Sequence, residues 1–571
     1  MHNPFNSRRE SAGSDVEKAS TNPSEAGHGA THGQQKLDPK VLDPNAGDRD
    51  VAQGQEELLH RKLKGRHMQM IAIGGSIGTG LFVGSGSALQ SGGPASLVID
   101  FIIIGAMLFF TVHALGELAV MYPVAGAFYT YSCRFIDPAW GYAMGINYAL
   151  NWLIVLPLEL TAAGITLQFW EGARNIHISV WITVFLAIVV LINLFGVRGY
   201  GEVEYILGIL KIVAVIGFII TAIVINCGGV PTDNRGYIGG RYWHNPGAFR
   251  NGFKGFCSVF VTAGFAFAGT ELVGLAAAEA DNPRKSLPKA TKQVFWRISL
   301  FYIVSLTLIG LIVPSDDPRL LNASGGNTAA SPFVISFQLA GIAALPSIFN
   351  VVITLAVISV ANSCTYGSTR TLHALAERHM LPSWFGYVDS HGRPMFSLII
   401  ALLFGCLAYI NEATAGDEIF NWLMALSGLS QFFTWASINL AHIRFRHAWK
   451  AQGRSLDEIP FRAAGGIIGS YMGLALNILV LIAQFYIAIA PLDKPMSAKN
   501  FFQNYLAAFI IAISYLGYKI YSKDWSMYIP LQDIDLNTGR RELDLTGEEL
   551  AKEREERAQW PAWKKIWHLF C

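Results

Sequence analysis

Charge and cysteine are both scarce in this 571-residue chain. Only 15% of its residues are Asp, Glu, Lys or Arg, against about 25% in a soluble domain. By contrast 52% are hydrophobic, and the mean hydropathy is +0.35. That balance excludes an ordinary soluble domain and places the chain in a membrane. The net charge of +2 is too even to suggest a nucleic-acid partner. Six cysteines are scattered at Cys133, Cys227, Cys257, Cys364, Cys406 and Cys571, with no metal spacing or disulfide framework. Most read as small apolar fillers. The sequence offers no nucleophile triad, phosphate loop or metal cluster, so neither enzyme activity nor a cofactor is expected. Nothing suggests a selectivity ring or a symmetric pore, which argues against a channel. No short apolar core follows the first methionine, so no signal peptide is expected and the first span is expected to act as its own signal.

What is abundant is long apolar runs. Uncharged stretches of about 20 residues read as membrane-spanning helices. They fall near 68–90, 96–121, 142–169, 178–198, 203–226, 253–277, 296–313, 342–370, 395–411, 418–443, 466–490 and 501–522. The expected fold class is therefore an all-α membrane protein with 12 transmembrane helices. Residues 1–66 are polar and form an N-terminal tail that is expected to be disordered. The remaining parts are 67–226 (helices 1–5), a loop at 227–252, 253–443 (helices 6–10), a loop at 444–465, helices 11–12 at 466–522 and a tail at 523–571.

Basic residues orient these spans. The segment His60-Arg61-Lys62-Leu63-Lys64-Gly65-Arg66 abuts the first span, which puts the N-terminus in the cytoplasm. An even span count returns the C-terminus there. The loops after spans 6, 8 and 10 are rich in Lys and Arg, whereas those after spans 1 and 9 have none. Lys18, Lys36 and Lys40 in the tail are candidate ubiquitin acceptors, which would make a ubiquitin ligase and endocytic machinery partners. Asn322 opens the one sequon in a predicted outside loop and is a candidate glycosylation site. Cys571 ends an aromatic, basic, interface-seeking stretch. It is a candidate for palmitoylation, with a free terminal thiol as the alternative.

Two glycine-bearing breaks sit at matching places, each in the first apolar segment of a five-segment half. One is Gly74-Gly75-Ser76-Ile77-Gly78-Thr79-Gly80; the other is Phe265-Ala266-Phe267-Ala268-Gly269-Thr270-Glu271. Glycine is a poor helix former, and irregular backbone at membrane depth is tolerated only where it faces protein or a cavity. Paired broken helices point to the substrate site of a secondary transporter. The restart at Ser76–Gly80 would offer backbone amides and a positive dipole end to a carboxylate. The second break would offer carbonyls and Glu271 to an ammonium. The pattern thus reaches a carrier of a small zwitterion. Phe265 and Phe267 are candidates to cover a ligand's apolar side, with ordinary packing as the alternative.

Ionisable residues inside spans are functional candidates by default. Lys211, about eight residues inside the fifth predicted span, lies roughly 12 Å deep and is a candidate proton acceptor. Its alternative is a fixed cation that holds helices together. Glu159, deep in the third span, is either a proton carrier or a structural hydrogen-bond partner. Glu271 is read as a substrate or coupling residue, against simple capping of the restarting helix. Glu117 and Glu279 lie near inner span ends and are candidate gates. For Glu117 the alternative is an interfacial carboxylate bonded to the Tyr122-Pro123 loop. Asp100, near the start of the second span, is read as reaching the interface.

These residues also carry a resemblance. Ile73-Gly74-Gly75-Ser76-Ile77-Gly78-Thr79-Gly80-Leu81-Phe82-Val83-Gly84-Ser85-Gly86, Gly116–Pro123, and the stretch from Gly269 to Lys285 resemble motifs of the amino acid–polyamine–organocation superfamily. The last is most similar to fungal plasma-membrane permeases of the yeast amino acid transporter family. The resemblance covers about residues 60–571. It implies a leucine-transporter-like fold, with spans 1–5 and 6–10 as inverted repeats and two further helices. It implies proton-coupled uptake of amino acids across the plasma membrane, with endosomal or vacuolar residence as alternatives. In relatives a lysine in span 5 stands where sodium-coupled cousins bind sodium, and Lys211 matches it. A glutamate after the span-6 break contributes to substrate recognition, and Glu271 matches it. The stretch Gly269–Glu279 looks more like general than basic amino acid permeases. A basic amino acid or other cation carrier, an exchanger, and a non-transporting sensor stay open.

Overall fold

The computed structural model describes residues 63–74, 77–322, 331–412, 416–492 and 495–540, with isolated positions between 552 and 564. Among the described residues the regular structure is helical, and the one extended pairing is an isolated bridge between Leu63 and Ala280. The principal helices are α1 (Gly65–Gly74), α2 (Ser85–Met121), α3 (Ala127–Phe135), α4 (Pro138–Leu167), α5 (Ile178–Leu194), α6 (Gly196–Asn226), α7 (Gly252–Phe267), α8 (Pro283–Ile312), α9 (Pro332–Leu339), α10 (Leu345–Glu377), α11 (Met395–Gly405), α12 (Gly416–Ala451), α13 (Gly466–Ile489) and α14 (Ala498–Ser522). Eight helical stretches among the described residues are long and apolar enough to cross a membrane, and two shorter apolar helices lie at Ile178–Leu194 and Met395–Ile410.

Several bounds differ from those read off hydropathy. The first two expected spans join into one helical stretch, bent at Gly93 with φ 82° ahead of Pro94. A Cβ at Gly93 would lie 2.7 Å from the Ala248 carbonyl oxygen, so both the turn and the close approach require glycine. Helix α6 starts at Gly196, ahead of the expected 203, because Gly196 at φ 68° breaks it from α5. Helix α12 continues to Ala451, past the end of its apolar run, so Arg444 and Arg446 lie on a helix rather than in a loop. Hydropathy stops where the membrane would; the i→i−4 hydrogen-bond ladder does not.

Helix α4 packs along α10, α2 along α7, and α12 against α4, α13 and α14. The core between them is apolar and aromatic, with Trp152, Trp435, Trp449 and Tyr148 among the largest buried side chains. The outward faces of α5, α6, α13 and α14 expose Leu191, Ile206, Val213, Ile220, Ile482 and Ile513. Such apolar surface suits contact with lipid.

Past α14 the chain folds back as a strap over residues 523–540. Ile534 and Leu536 are buried, at 3% and 1% exposure. The strap's carbonyls accept from fixed donors on the helices: Leu536 from Tyr122 Oη at 2.9 Å, Thr538 from Arg134 at 2.7 Å, Ile534 from Gln452 at 2.8 Å and Ile529 from Arg444. Lys519 at the foot of α14 pairs with Asp137 at 2.9 Å.

Candidate functional site

The two breaks face each other. Helix α1 ends at Gly74 and winding resumes at Gly80; α7 ends at Phe267, after which Ala268 is extended and Gly269 adopts φ 91°. A Cβ at Gly80 would sit 2.4 Å from the Ala266 Cα and 2.8 Å from its nitrogen. Only glycine permits that backbone-on-backbone contact. Gly78 likewise abuts Val360 of α10. Ile77, Thr79, Thr270 and Glu271 are all buried. Ser76 lies outside the described residues, as do Lys18, Lys36, Lys40, Cys571 and the side chain of Asn322.

Glu271 ends the second break, and three neutral donors hold its carboxylate. Tyr148 Oη donates to Oε1 at 3.2 Å, the Gly269 N–H to Oε1 at 3.3 Å, and Trp435 Nε1 to Oε2 at 3.1 Å. Gly269 precedes the restarting helix and the Glu271 side chain makes no cap bond to that helix, while Tyr148 and Trp435 tie the carboxylate to α4 and α12. Arg297 of α8 donates to the neighbouring Thr270 hydroxyl. Several freed carbonyls of this break are already engaged. The Ala266 oxygen accepts from Tyr302 Oη at 2.7 Å and the Phe267 oxygen from Thr270 Oγ1 at 2.6 Å. The Phe267 ring stacks on Tyr302 at 4.2 Å and lies 5.6 Å from Phe101, so the packing alternative describes it. Phe265 is 7% exposed, and Ala268 is half-buried.

The deep charges form a second cluster beside the first break. Thr79 Oγ1 donates to Glu159 Oε2 at 2.5 Å. Lys211 Nζ donates to Ser359 Oγ at 2.8 Å, and Ser359 Oγ lies 2.8 and 2.7 Å from the two oxygens of Glu204. The direct Lys211–Glu204 separation is 3.8 Å. Glu159 and Lys211 also lie within electrostatic reach of each other.

Glu117 and Glu279 are buried and paired. Glu117 contacts Arg446 at 2.6 Å, His442 at 3.1 Å and the Ala463 N–H at 2.6 Å. Its partners are therefore on α12 and the following loop, not at Tyr122-Pro123. Glu279 accepts from Arg370 Nε at 2.7 Å and Tyr366 Oη at 3.2 Å. Asp100 is fully buried, within electrostatic reach of Cys257 on α7.

Sequence reasoning missed several residues. Glu204 lay at the edge of an expected span, although it stands two turns from Lys211 on the same helical face. Tyr148 and Trp435 gave no signal beyond being aromatics in apolar runs. Asn151, Ser427 and Gln431 are buried polar side chains one turn or more from Tyr148 or Trp435 on α4 and α12. The Asn151 and Gln431 amides and the Ser427 hydroxyl have no hydrogen-bond partner among the described residues. Buried polar groups are normally satisfied, so these three mark unsatisfied polar positions on the two helices that supply donors to Glu271.

Comparison with known proteins fits this geometry. Residues 67–529 match the family model described as Amino acid permease. The chain belongs to the amino acid permease family. It is 53% identical over 535 residues to the General amino-acid permease GAP2 of Candida albicans, covering 93% of this chain and 90% of that one. It is 55% identical over 522 residues to Cationic amino acid transporter 1 of Schizosaccharomyces pombe, covering 90% and 86% respectively. The permease also shares its fold with a solved manganese transporter of Eremococcus coleocola, at 15% identity and a TM-score of 0.50 over 80% of this chain and 93% of that one. The relatives are transporters, not enzymes.

Proposed function

We propose that this permease imports amino acids together with protons, accepting a broad range of side chains. Its expected setting is the plasma membrane, with both termini in the cytoplasm, twelve spans and two inverted five-helix repeats. The observation that carries this reading is Glu271: a buried carboxylate held by a hydroxyl, an indole and a backbone N–H, opposite the first break. The three direct donors are neutral and orient the carboxylate for a substrate ammonium, with the buried Arg297 guanidinium also within electrostatic reach of it. The amides around Ile77–Gly80 suit the substrate carboxylate. Asn151, Ser427 and Gln431 supply polar capacity for side chains that carry hydrogen-bonding groups. The names of relatives, one a general permease and one a cationic amino acid transporter, are compatible with a zwitterion site that tolerates different side chains.

Lys211 and Glu159 are the proposed coupling groups, and Glu117 and Glu279 the proposed inner gates. A neutral amino acid entering with one proton moves one charge, worth about 2.3 kcal/mol per 100 mV. That drives roughly fifty-fold accumulation, and each pH unit adds about tenfold.

The test is uptake of labelled neutral, acidic and basic amino acids into permease-deficient cells at acidic and neutral outside pH, with and without a protonophore. Broad uptake that collapses with the protonophore supports the reading. Saturable binding without uptake would identify a sensor, and flux without net accumulation an exchanger. Glu271→Gln should weaken uptake most for cationic substrates, and unaltered kinetics across the amino acids would remove Glu271 from the site.

A further inference from the structure

We infer that Glu204 is the proton-release group on the cytoplasmic side of Lys211, reached through the Ser359 hydroxyl. This rests on the proton-symport reading above. The geometry is that of a two-step relay. Lys211 Nζ donates to Ser359 Oγ at 2.8 Å, and Ser359 Oγ donates to Glu204 at 2.7–2.8 Å. At 3.8 Å the direct ion pair is beyond hydrogen-bond reach, so the serine oxygen is the short path between the two groups.

The path continues in the same direction. Tyr200 stands one turn from Glu204 on α6, and Ser363 one turn from Ser359 on α10; their hydroxyls are 3.3 Å apart. The Tyr200 ring stacks on Tyr366 at 4.3 Å, nearly parallel. Both tyrosines line a cavity with Asn193, Thr369, Arg370 and Arg393, at the end of α10 that leads into an Arg-bearing loop. In the orientation proposed above, that end is cytoplasmic. Lys211 therefore has Glu159 on the side of the first break and Glu204 on the side of this cavity.

The transfer balances. An N–H bond of the Lys211 ammonium breaks as an O–H bond forms at Ser359, and the original Ser359 O–H proton passes to a Glu204 carboxylate oxygen. Lys211 becomes a neutral amine and Glu204 a neutral acid. Glu204 then releases its proton toward the cavity and returns to carboxylate, and Lys211 is reprotonated from the Glu159 side. Each cycle moves one proton. The charged group acting on Glu204 is Lys211, and the facing residues of α10 are the uncharged Ser359 and Ser363. Tyr200 in turn faces Glu204, Glu279 and Arg370. From α1, His67 packs against Gly201 and pairs with Glu202 instead.

The experiment uses the full-length protein in permease-deficient cells or in liposomes. It compares net accumulation under a pH gradient with exchange of labelled for unlabelled amino acid. Wild type is measured first. If its accumulation ignores the protonophore, the symport reading fails and the relay falls with it. If wild type is proton-coupled, Ser359→Ala should raise the ratio of exchange to accumulation at least about tenfold, and Ser359→Thr, which keeps the hydroxyl, should restore it. Glu204→Gln should act like Ser359→Ala. A static counter-ion would give a different pattern: Ser359→Ala would leave the ratio unchanged, because the carboxylate stays beside Lys211. That result, or a Glu204→Gln variant with wild-type proton coupling, would overturn the inference while leaving symport intact. Equal loss of exchange and accumulation in Ser359→Ala, Ser359→Thr and Glu204→Gln would also overturn it in favour of a packing role.

Discussion

Replacing Gly80 by alanine is the sharpest perturbation of the apposed breaks. The new Cβ would lie 2.4 Å from the Ala266 Cα and 2.8 Å from its nitrogen. Non-bonded carbon atoms settle at about 3.5–4.0 Å, so the two strands of backbone must part by more than about 1 Å. The obstacle is main chain, which has no rotamer to yield. Overpacking of this kind costs about 1–3 kcal/mol, and here it acts on the surfaces that meet across the proposed substrate site. Gly217 is the control: it lies on exposed helix α6, where an added Cβ would meet nothing within 4 Å. Gly217→Ala should be neutral or raise stability by about 0.5–1 kcal/mol through helix propensity. The assay is labelled amino acid uptake at matched surface expression, together with the thermal midpoint of the purified protein in detergent. Gly80→Ala should lose most uptake and unfold at lower temperature, while Gly217→Ala should do neither. Wild-type uptake and midpoint in Gly80→Ala would refute the close apposition of the breaks.

Three further outcomes are expected. Trp435→Phe removes the indole donor to Glu271 Oε2. An unsatisfied buried acceptor costs about 1–3 kcal/mol, so the apparent KM for uptake should rise roughly tenfold or more, with unchanged KM arguing against Glu271 as a substrate contact. Leu536→Asp places a charge in the buried face of the C-terminal strap; the thermal midpoint should fall, and an unchanged midpoint would mean the strap does not brace the helices. In the loop after α6, hydrogen bonds from Arg235 hold the Asp233 carboxyl below its ordinary range. A lowered folded pKa stabilises above the ordinary carboxylate value of about 3.9, and that contribution is lost as pH falls through the folded value. Asp233→Asn should therefore melt below wild type at pH 6, with the offset shrinking as pH falls below the ordinary carboxylate value, and an offset that does not change with pH would refute the assignment.

Much of this protein was legible in the chain alone, because the bilayer imposes a one-dimensional rule. Backbone in lipid must satisfy its own hydrogen bonds, so long apolar runs announce helices, and glycine clusters within them announce interruptions. Both breaks lie where Gly78, Gly80 and Gly269 put them, and the burial of Lys211, Glu159 and Glu271 followed from position in an apolar run. The motifs around those glycines also carried the family.

Partners were not legible, since they depend on which helices pack together. Tyr148 and Trp435 lie on helices far apart in sequence, yet both donate to Glu271. Ser359 looked like any serine until α10 set it between Lys211 and Glu204. Glu117 was placed near the correct end of its helix but with the wrong neighbours, because α12 outruns its apolar segment and carries Arg446 to it. Phe267 is the last residue of α7 rather than part of the break, and tertiary packing turns its ring onto Tyr302 and Phe101. Sequence alone determined which runs are apolar enough to form long helices and where the two glycine-bearing breaks fall, because desolvation of backbone and charge is local. Tertiary structure decided which buried charge meets which donor, because in a helical membrane protein those contacts join residues that are neighbours only once the helices have packed.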